Sequence, residues 1–311
     1  MVDLTRGGEL TVQPIEAPPR RAGWLASALA TTLDILRRDR FARAGVAIYA
    51  TLILVAIFAP VIAPHDPHAV MEEDGLWLTN QEPSSRFLLG TTNVGRDIFS
   101  QLVYGARPAL LVGFSAAFIV AFVGTIVGLV AGYFGGWVDG ALMRLTDVAF
   151  GIPFLPFVIV LVAFLGPSIW NVVLTMGLLL WRDTARIIRS QVLTVRERAF
   201  VQAARVSGAG AWRTIFVYVA PNILALSFLY GTLAIGWAIL TEASVSFLGF
   251  GDPTVVSWGF MLQDAYVSQA LARGAYYWFV PPGVCIMLAV MAGFFIGRGY
   301  EELLFPRLRE R

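Results

Sequence analysis

Few side chains in this sequence combine types that could do chemistry, and none of them forms a hydrolytic or redox set. The two histidines, His65 and His68, flank Asp66 in a segment rich in acids. Imidazole beside carboxylate suits a metal ion, but a short exposed polar loop uses the same residue types without one. The single cysteine, Cys285, lies in an apolar run and has no disulfide partner in the chain, so it reads as a small buried hydrophobe. All 23 basic residues are Arg, because the sequence contains no Lys. A nucleotide-binding P-loop needs a lysine after its glycines to reach the β- and γ-phosphates. The chain therefore has no such loop, and any ATP it depends on must bind another polypeptide. Arg144 and Asp147 stand three apart, close enough to pair on a helix. Glu242 sits within a long apolar run. An ionisable group there is costly, and it either lines a path or bonds a neighbouring helix; both readings stand.

The elements that must hold these groups are apolar. The chain of 311 residues is 57% hydrophobic and 14% charged, with a mean hydropathy of +0.70, well beyond a typical soluble domain. A net charge of +2 offers no basic surface for nucleic acid. The first 20 residues are polar and lack the apolar stretch of a secretory signal. Six segments approach the ~20 apolar residues that cross a bilayer: 46–63, 109–134, 148–166, 168–181, 222–250 and 278–297. The fourth is short, with 14 uncharged residues before Arg182.

Charge supports keeping it. Arg residues collect in cytoplasmic loops. Arg37, Arg38, Arg40 and Arg43 precede the first segment; 65–107 carries six acids and three Arg; 182–213 carries seven Arg and two acids; and the tail is Arg-rich. With the first three segments counted as crossings, 182–213 lies inside only if the fourth also crosses; the last two then return the tail to the inside and leave 65–107 outside. Leu25, Leu29, Leu33 and Leu36 predict an amphipathic helix over 25–36. Gly124, Gly128, Gly132 and Gly136 make one smooth face on the second span, suited to close helix packing or to sliding. The chain divides into a cytoplasmic arm (1–44), a first span with its outer loop (45–108) and a five-span core (109–311).

The inside segment 182–221 is too patterned for a connector. Residues 196–207 predict a helix with Phe200, Ala203, Ala204 and Ser207 along one side, which Gly208-Ala209-Gly210 breaks. A second apolar stretch leads to Pro221. Such a hairpin either docks into a groove of another protein or lids the bundle.

Residues 201–222, VQAARVSGAGAWRTIFVYVAPN, resemble the cytoplasmic "EAA" loop of binding-protein-dependent ABC importer permeases. Gln202-Ala203-Ala204, Gly208, Ile215 and Pro221 carry the pattern, with Gln202 where the family has Glu. Segments 87–107, 143–156, 241–253, 257–265 and 297–309 resemble the C-type permeases of the dipeptide/oligopeptide/nickel subfamily. Gly95-Arg96-Asp97 is intact, Thr92 replaces an Asp, and Arg298 with Glu301 reverses the family's charge order in the tail. The resemblance covers about 37–309 and implies an all-α, six-span type I importer permease. Its coupling helix meets the ATPase through Phe200, Gln202, Ala203, Ala204, Arg205, Gly208 and Pro221. The implied partners are a second homologous permease, two ATPase subunits that hold ATP and Mg, and an extracytoplasmic binding protein, all at a bacterial inner membrane. This subunit would itself be no enzyme. Peptides are the implied cargo, with nickel, glutathione and oligosaccharides carried by near relatives. Glu242, Asp147 and Arg144 are the candidate path residues. A secondary transporter or channel is the competing class, with 196–221 as its lid.

Overall fold

The computed structural model describes residues 39–304. The amphipathic helix expected over 25–36 and the last part of the tail motif lie outside the described residues.

Helix α1 (Arg40–Ile62) starts at Asp39, whose carboxylate accepts the Phe41 amide at 2.8 Å, satisfying one of the open donors at a helix N-terminus. Its interior Pro60 has no amide to give the Ala56 carbonyl. Arg107 supplies the missing donor from across the bundle, its Nε lying 2.7 Å from the Ala56 oxygen. The loop that follows holds a two-stranded antiparallel pair, β1 (Glu72–Glu73) and β2 (Leu76–Trp77). Asp74 and Gly75 turn it with φ of 52° and 75°, the left-handed pair a tight hairpin requires. Asp97 then caps α2 (Ile98–Tyr104) by accepting the Ser100 amide at 3.0 Å, and α3 (Ala106–Phe134) continues from it.

The expected third span is broken. Helix α4 (Gly136–Gly151) and helix α5 (Phe154–Leu165) meet at a bend of 86°. Pro153 explains the break, since it drives Ile152 into an extended conformation with ψ of 123°. Helix α6 (Ile169–Arg196) then runs unbroken for 28 residues. It passes the end of the predicted 168–181 span, so the helix expected to begin at 196 starts later, as α7 (Ala199–Val206). A helical turn (Ala211–Arg213), π-turns (Thr214–Val219) and a 3-10 turn (Ala220–Asn222) lead into α8 (Leu224–Phe247). Helix α9 (Trp258–Val267) and helix α10 (Tyr276–Leu304) follow.

Helix α3 is the centre, with α6 on one side and α8 on the other; α10 packs between α8 and α1. The glycine face predicted from the sequence is what brings α3 and α6 together. A Cβ on Gly124 would lie 2.6 Å from Thr184, one on Gly128 2.7 Å from Ile188, and one on Gly132 2.7 Å from Val192. The pairing advances in step along both helices, so α3 and α6 run parallel. Gly136 is not part of this face: nothing lies within 4 Å of a Cβ built there.

Among the described residues four helical stretches are long and apolar enough to cross a membrane: α1, α2–α3 together, α8 and α10. The bent α4–α5 pair passes the same test only when its two halves are taken together, as one broken span or a re-entrant loop. Helix α6 does not qualify, because its second half carries Arg182, Arg186, Arg189 and Arg196. The outward faces are strongly apolar, with Val61 82%, Phe118 68% and Phe164 85% exposed; such a surface suits hydrocarbon rather than water.

Candidate functional site

The hairpin after α6 is held by its own polar clasps. At the end of α3 the last carbonyls have no helical partner, and Arg196 donates to those of Gly132, at 2.8 Å, and Tyr133. Arg196 also pairs with Glu197 at 3.1 Å. Gln202 reaches back from α7, its amide nitrogen donating to Glu197 at 3.2 Å and to the Arg196 carbonyl at 3.3 Å. The departure at Gln202 therefore has a local reason: a carboxylate there would face the Glu197 carboxylate, whereas an amide can donate to it. Arg205 lies 4.8 Å over the Tyr133 ring, fastening α7 to the end of α3.

Gly208 ends α7 with φ of 83°, the left-handed conformation that glycine adopts without steric cost. Ala203 and Ala204, expected along one side of this helix, are split. Ala203 is exposed, but Ala204 is 8% exposed and turns inward with Val201, because adjacent positions on a helix point about 100° apart. The exposed apolar residues of α7 are Phe200, Ala203 and Val206, and Trp212 and Phe216 are exposed in the segment that follows. Val206 is 90% exposed. Trp212 stacks on Phe216 at 6.0 Å and meets Phe134 edge-on at 5.7 Å. Sequence reasoning singled out Phe200 and Ala203 but not this aromatic group; its signal was the spacing of Trp212 and Phe216 one turn apart. Pro221 sits exposed in the 3-10 turn that enters α8.

The candidate path residues fall in two places. Arg144 and Asp147 do not pair: Asp147 accepts from Arg186 of α6 at 2.6 Å, and Arg144 is exposed. A second clasp joins the same two helices, with both carboxylate oxygens of Asp139 bonded by Arg189, a bidentate geometry that fixes orientation as well as distance. Arg182 donates to the Ala149 carbonyl at the end of α4 and lies 4.7 Å over Phe150. These partners are too far apart in sequence to be read from spacing. Glu242 is 4% exposed and lies inside the subunit. Ser246 donates to it at 2.7 Å, and Ser257, the N-cap of α9, lines the same small cavity. The sequence left open a path-lining and a helix-bonding role; the bond from Ser246 stays within α8.

The histidine loop carries no metal constellation: among the described residues no three His, Cys, Asp or Glu side chains converge. His65 instead lies 3.5 Å from the buried Asp97 that caps α2, and its ring packs on Phe87 at 5.4 Å.

Comparison with known proteins places these features in a family. Residues 124–310 match the binding-protein-dependent transport system inner membrane component family, and residues 27–83 match the N-terminal TM domain of oligopeptide transport permease C. The chain is 40% identical over 280 residues to the dipeptide transport system permease protein DppC of Escherichia coli (strain K12), covering 88% of this chain and 91% of that one. It is 36% identical over 279 residues to the di/tripeptide transport system permease protein DppC of Pseudomonas aeruginosa (strain UCBPP-PA14), covering 87% and 89%. To the dipeptide transport system permease protein DppC of Alkalihalophilus pseudofirmus it is 35% identical over 301 residues, 96% and 97% of the two chains. The chain therefore belongs to the family of inner membrane components of binding-protein-dependent transport systems, as a C-type permease of its oligopeptide and dipeptide branch.

Proposed function

We propose that this chain is the membrane-spanning subunit of an ATP-driven peptide importer and that it crosses the membrane six times. The observation that carries the peptide reading is the 40% identity to a dipeptide permease over 88% of the chain. The parallel course of α3 and α6 supports the sixth crossing. Two parallel helices in a bundle need an odd number of crossings between them, and the bent α4–α5 pair supplies one. With the Arg-rich hairpin end inside, α1 exits, α3 returns, α4–α5 exits, α6 returns, α8 exits and α10 returns, leaving both termini cytoplasmic.

In this reading the exposed surface of Phe200, Ala203, Val206, Trp212 and Phe216 meets the ATPase, which binds ATP and Mg on its own chain. Arg205, Gln202 and Gly208 shape that surface from behind, Ala204 anchors it, and Pro221 sets the entry to α8. Closure of two ATPase subunits pushes the hairpin, and the α4–α6 clasps at Asp139 and Asp147 carry the movement to the bent pair. A second permease completes the path, with Arg144 and the Asp147–Arg186 pair at its inner mouth. An external binding protein delivers the peptide. The test is uptake of labelled dipeptide by proteoliposomes holding this chain with its partner permease, ATPases and binding protein. Uptake that needs ATP and the binding protein is expected; uptake that persists without ATP would replace this reading with a secondary transporter.

A further inference from the structure

At the end of the bundle that carries loop 63–97, a groove opens sideways between α1 and α3, lined by Ile53, Ala56, Ile57, Leu110, Leu111 and Phe114. Arg107 closes its upper end. The Arg107 side chain is exposed, its Nε is taken by the Ala56 carbonyl at 2.7 Å, and its plane lies 4.8 Å over the Tyr104 ring. Among the described residues no carboxylate pairs with it. A guanidinium carries five donors and stays charged at any working pH. Here a neutral carbonyl and a ring face are its protein partners, at the edge of a hydrocarbon-facing surface where an uncompensated charge is costly. Pro60 explains why an arginine stands there at all, because Ala56 needs a donor, but it leaves the charge unanswered.

We propose that this groove binds one glycerophospholipid of the adjoining leaflet, its phosphate on the outer nitrogens of Arg107 and an acyl chain along Ile57, Leu111 and Phe114. The phosphate plane of a bilayer lies at the level of the span ends, where the only abundant anion is lipid. A planar fork of donors matches phosphate oxygens, and an apolar trough below it matches the chain. Bound there, the lipid bridges the Pro60 end of α1 to α3 and holds the first span against the core. The proposal rests on the chain being membrane-embedded with this end at a bilayer surface.

The test uses the full transporter, purified with its partner permease and ATPases and examined by native mass spectrometry. It is titrated with phosphatidylglycerol and with a diacylglycerol carrying the same chains. The wild-type complex is expected to prefer the phospholipid by about tenfold or more, the size of one hydrogen-bonded charge contact. Arg107→Gln should abolish the preference. Leu111→Trp, which fills the trough and keeps the Arg107–Ala56 bond, should lower binding of both lipids. Equal affinity for the two lipids, or unchanged binding in both variants, overturns the site. So does efficient cross-linking of an Ile57→Cys variant to the partner permease in native membranes, because the groove is then filled by protein. Peptide uptake by the wild-type preparation tests the permease reading separately.

Discussion

Gln202 and Glu242 show how single side chains work here by bonding inside the subunit. Gln202 donates to Glu197 across 3.2 Å. Gln202→Glu replaces that bond with two facing carboxylates. Both groups are partly solvated, so the thermal cost should be small, about 0.2–1 kcal/mol. The larger effect is expected in the aim of α7: ATP hydrolysis stimulated by the loaded binding protein should fall, and adding Glu197→Gln should restore it. A double variant no better than the single one would show that the Glu197 contact is irrelevant. Glu242 is a different case, since it is enclosed and accepts from Ser246, with Ser257 at the start of α9 beside it. Glu242→Leu leaves the Ser246 hydroxyl without its acceptor and should destabilise the purified complex by about 1–3 kcal/mol. Glu242→Gln keeps an acceptor oxygen and should melt near the wild type. If Glu242→Gln melts normally but changes uptake across a peptide panel, the carboxyl has a transport role beyond its bond to Ser246.

Two glycines set the relations between elements, for opposite reasons. Gly128 is needed for closeness: a Cβ would fall 2.7 Å from the Ala185 carbonyl and Ile188. Gly128→Val should therefore push α6 from α3, an overpacking worth about 1–3 kcal/mol, and show as a lowered melting midpoint and reduced yield from membranes. Gly208 is needed for conformation: no atom lies within 4 Å of its Cβ position, but its φ is 83°. Gly208→Val is costly at that φ and should change the angle between α7 and the segment that follows, with no clash from the added Cβ. Normal insertion with loss of stimulated ATP hydrolysis is the expected result, and retained stimulation with full subunit stoichiometry would remove this hairpin as the coupling element. Ala203→Trp enlarges the exposed side of α7 and should give the same uncoupled phenotype. Ala204→Trp enlarges the inward side and should instead lower yield.

For the whole molecule the decisive property is which parts lie on which side of the membrane. In a Cys285→Ser background, Glu73→Cys in the β1–β2 pair and Arg198→Cys before α7 should react with impermeant thiol reagents from opposite sides. Labelling of both from one side would refute six crossings. The bent α4–α5 pair sets the number of crossings. It makes a crossing only if its two halves together reach from the hairpin end to the other side, so a cysteine in the 166–168 turn should label from the same side as Glu73→Cys.

Much of this was legible in the sequence, because bilayer crossing is a property of composition. Apolar length marks α1, α3, α8 and α10 as candidate membrane spans. Gly124, Gly128 and Gly132 announced a close helix contact, and Gly208 a left-handed turn, since both depend on the absence of a side chain at one position. The partners of these residues were not legible. The sequence could not tell that the glycine face takes α6, that Asp147 chooses Arg186 over Arg144, or that Glu242 lies beside Ser257. It could not tell that Arg107 answers the carbonyl Pro60 leaves open 51 residues away. Local spacing fixes what a residue can reach along its own helix, whereas these choices depend on which helices lie side by side. Packing decides that, and only the tertiary structure shows the result.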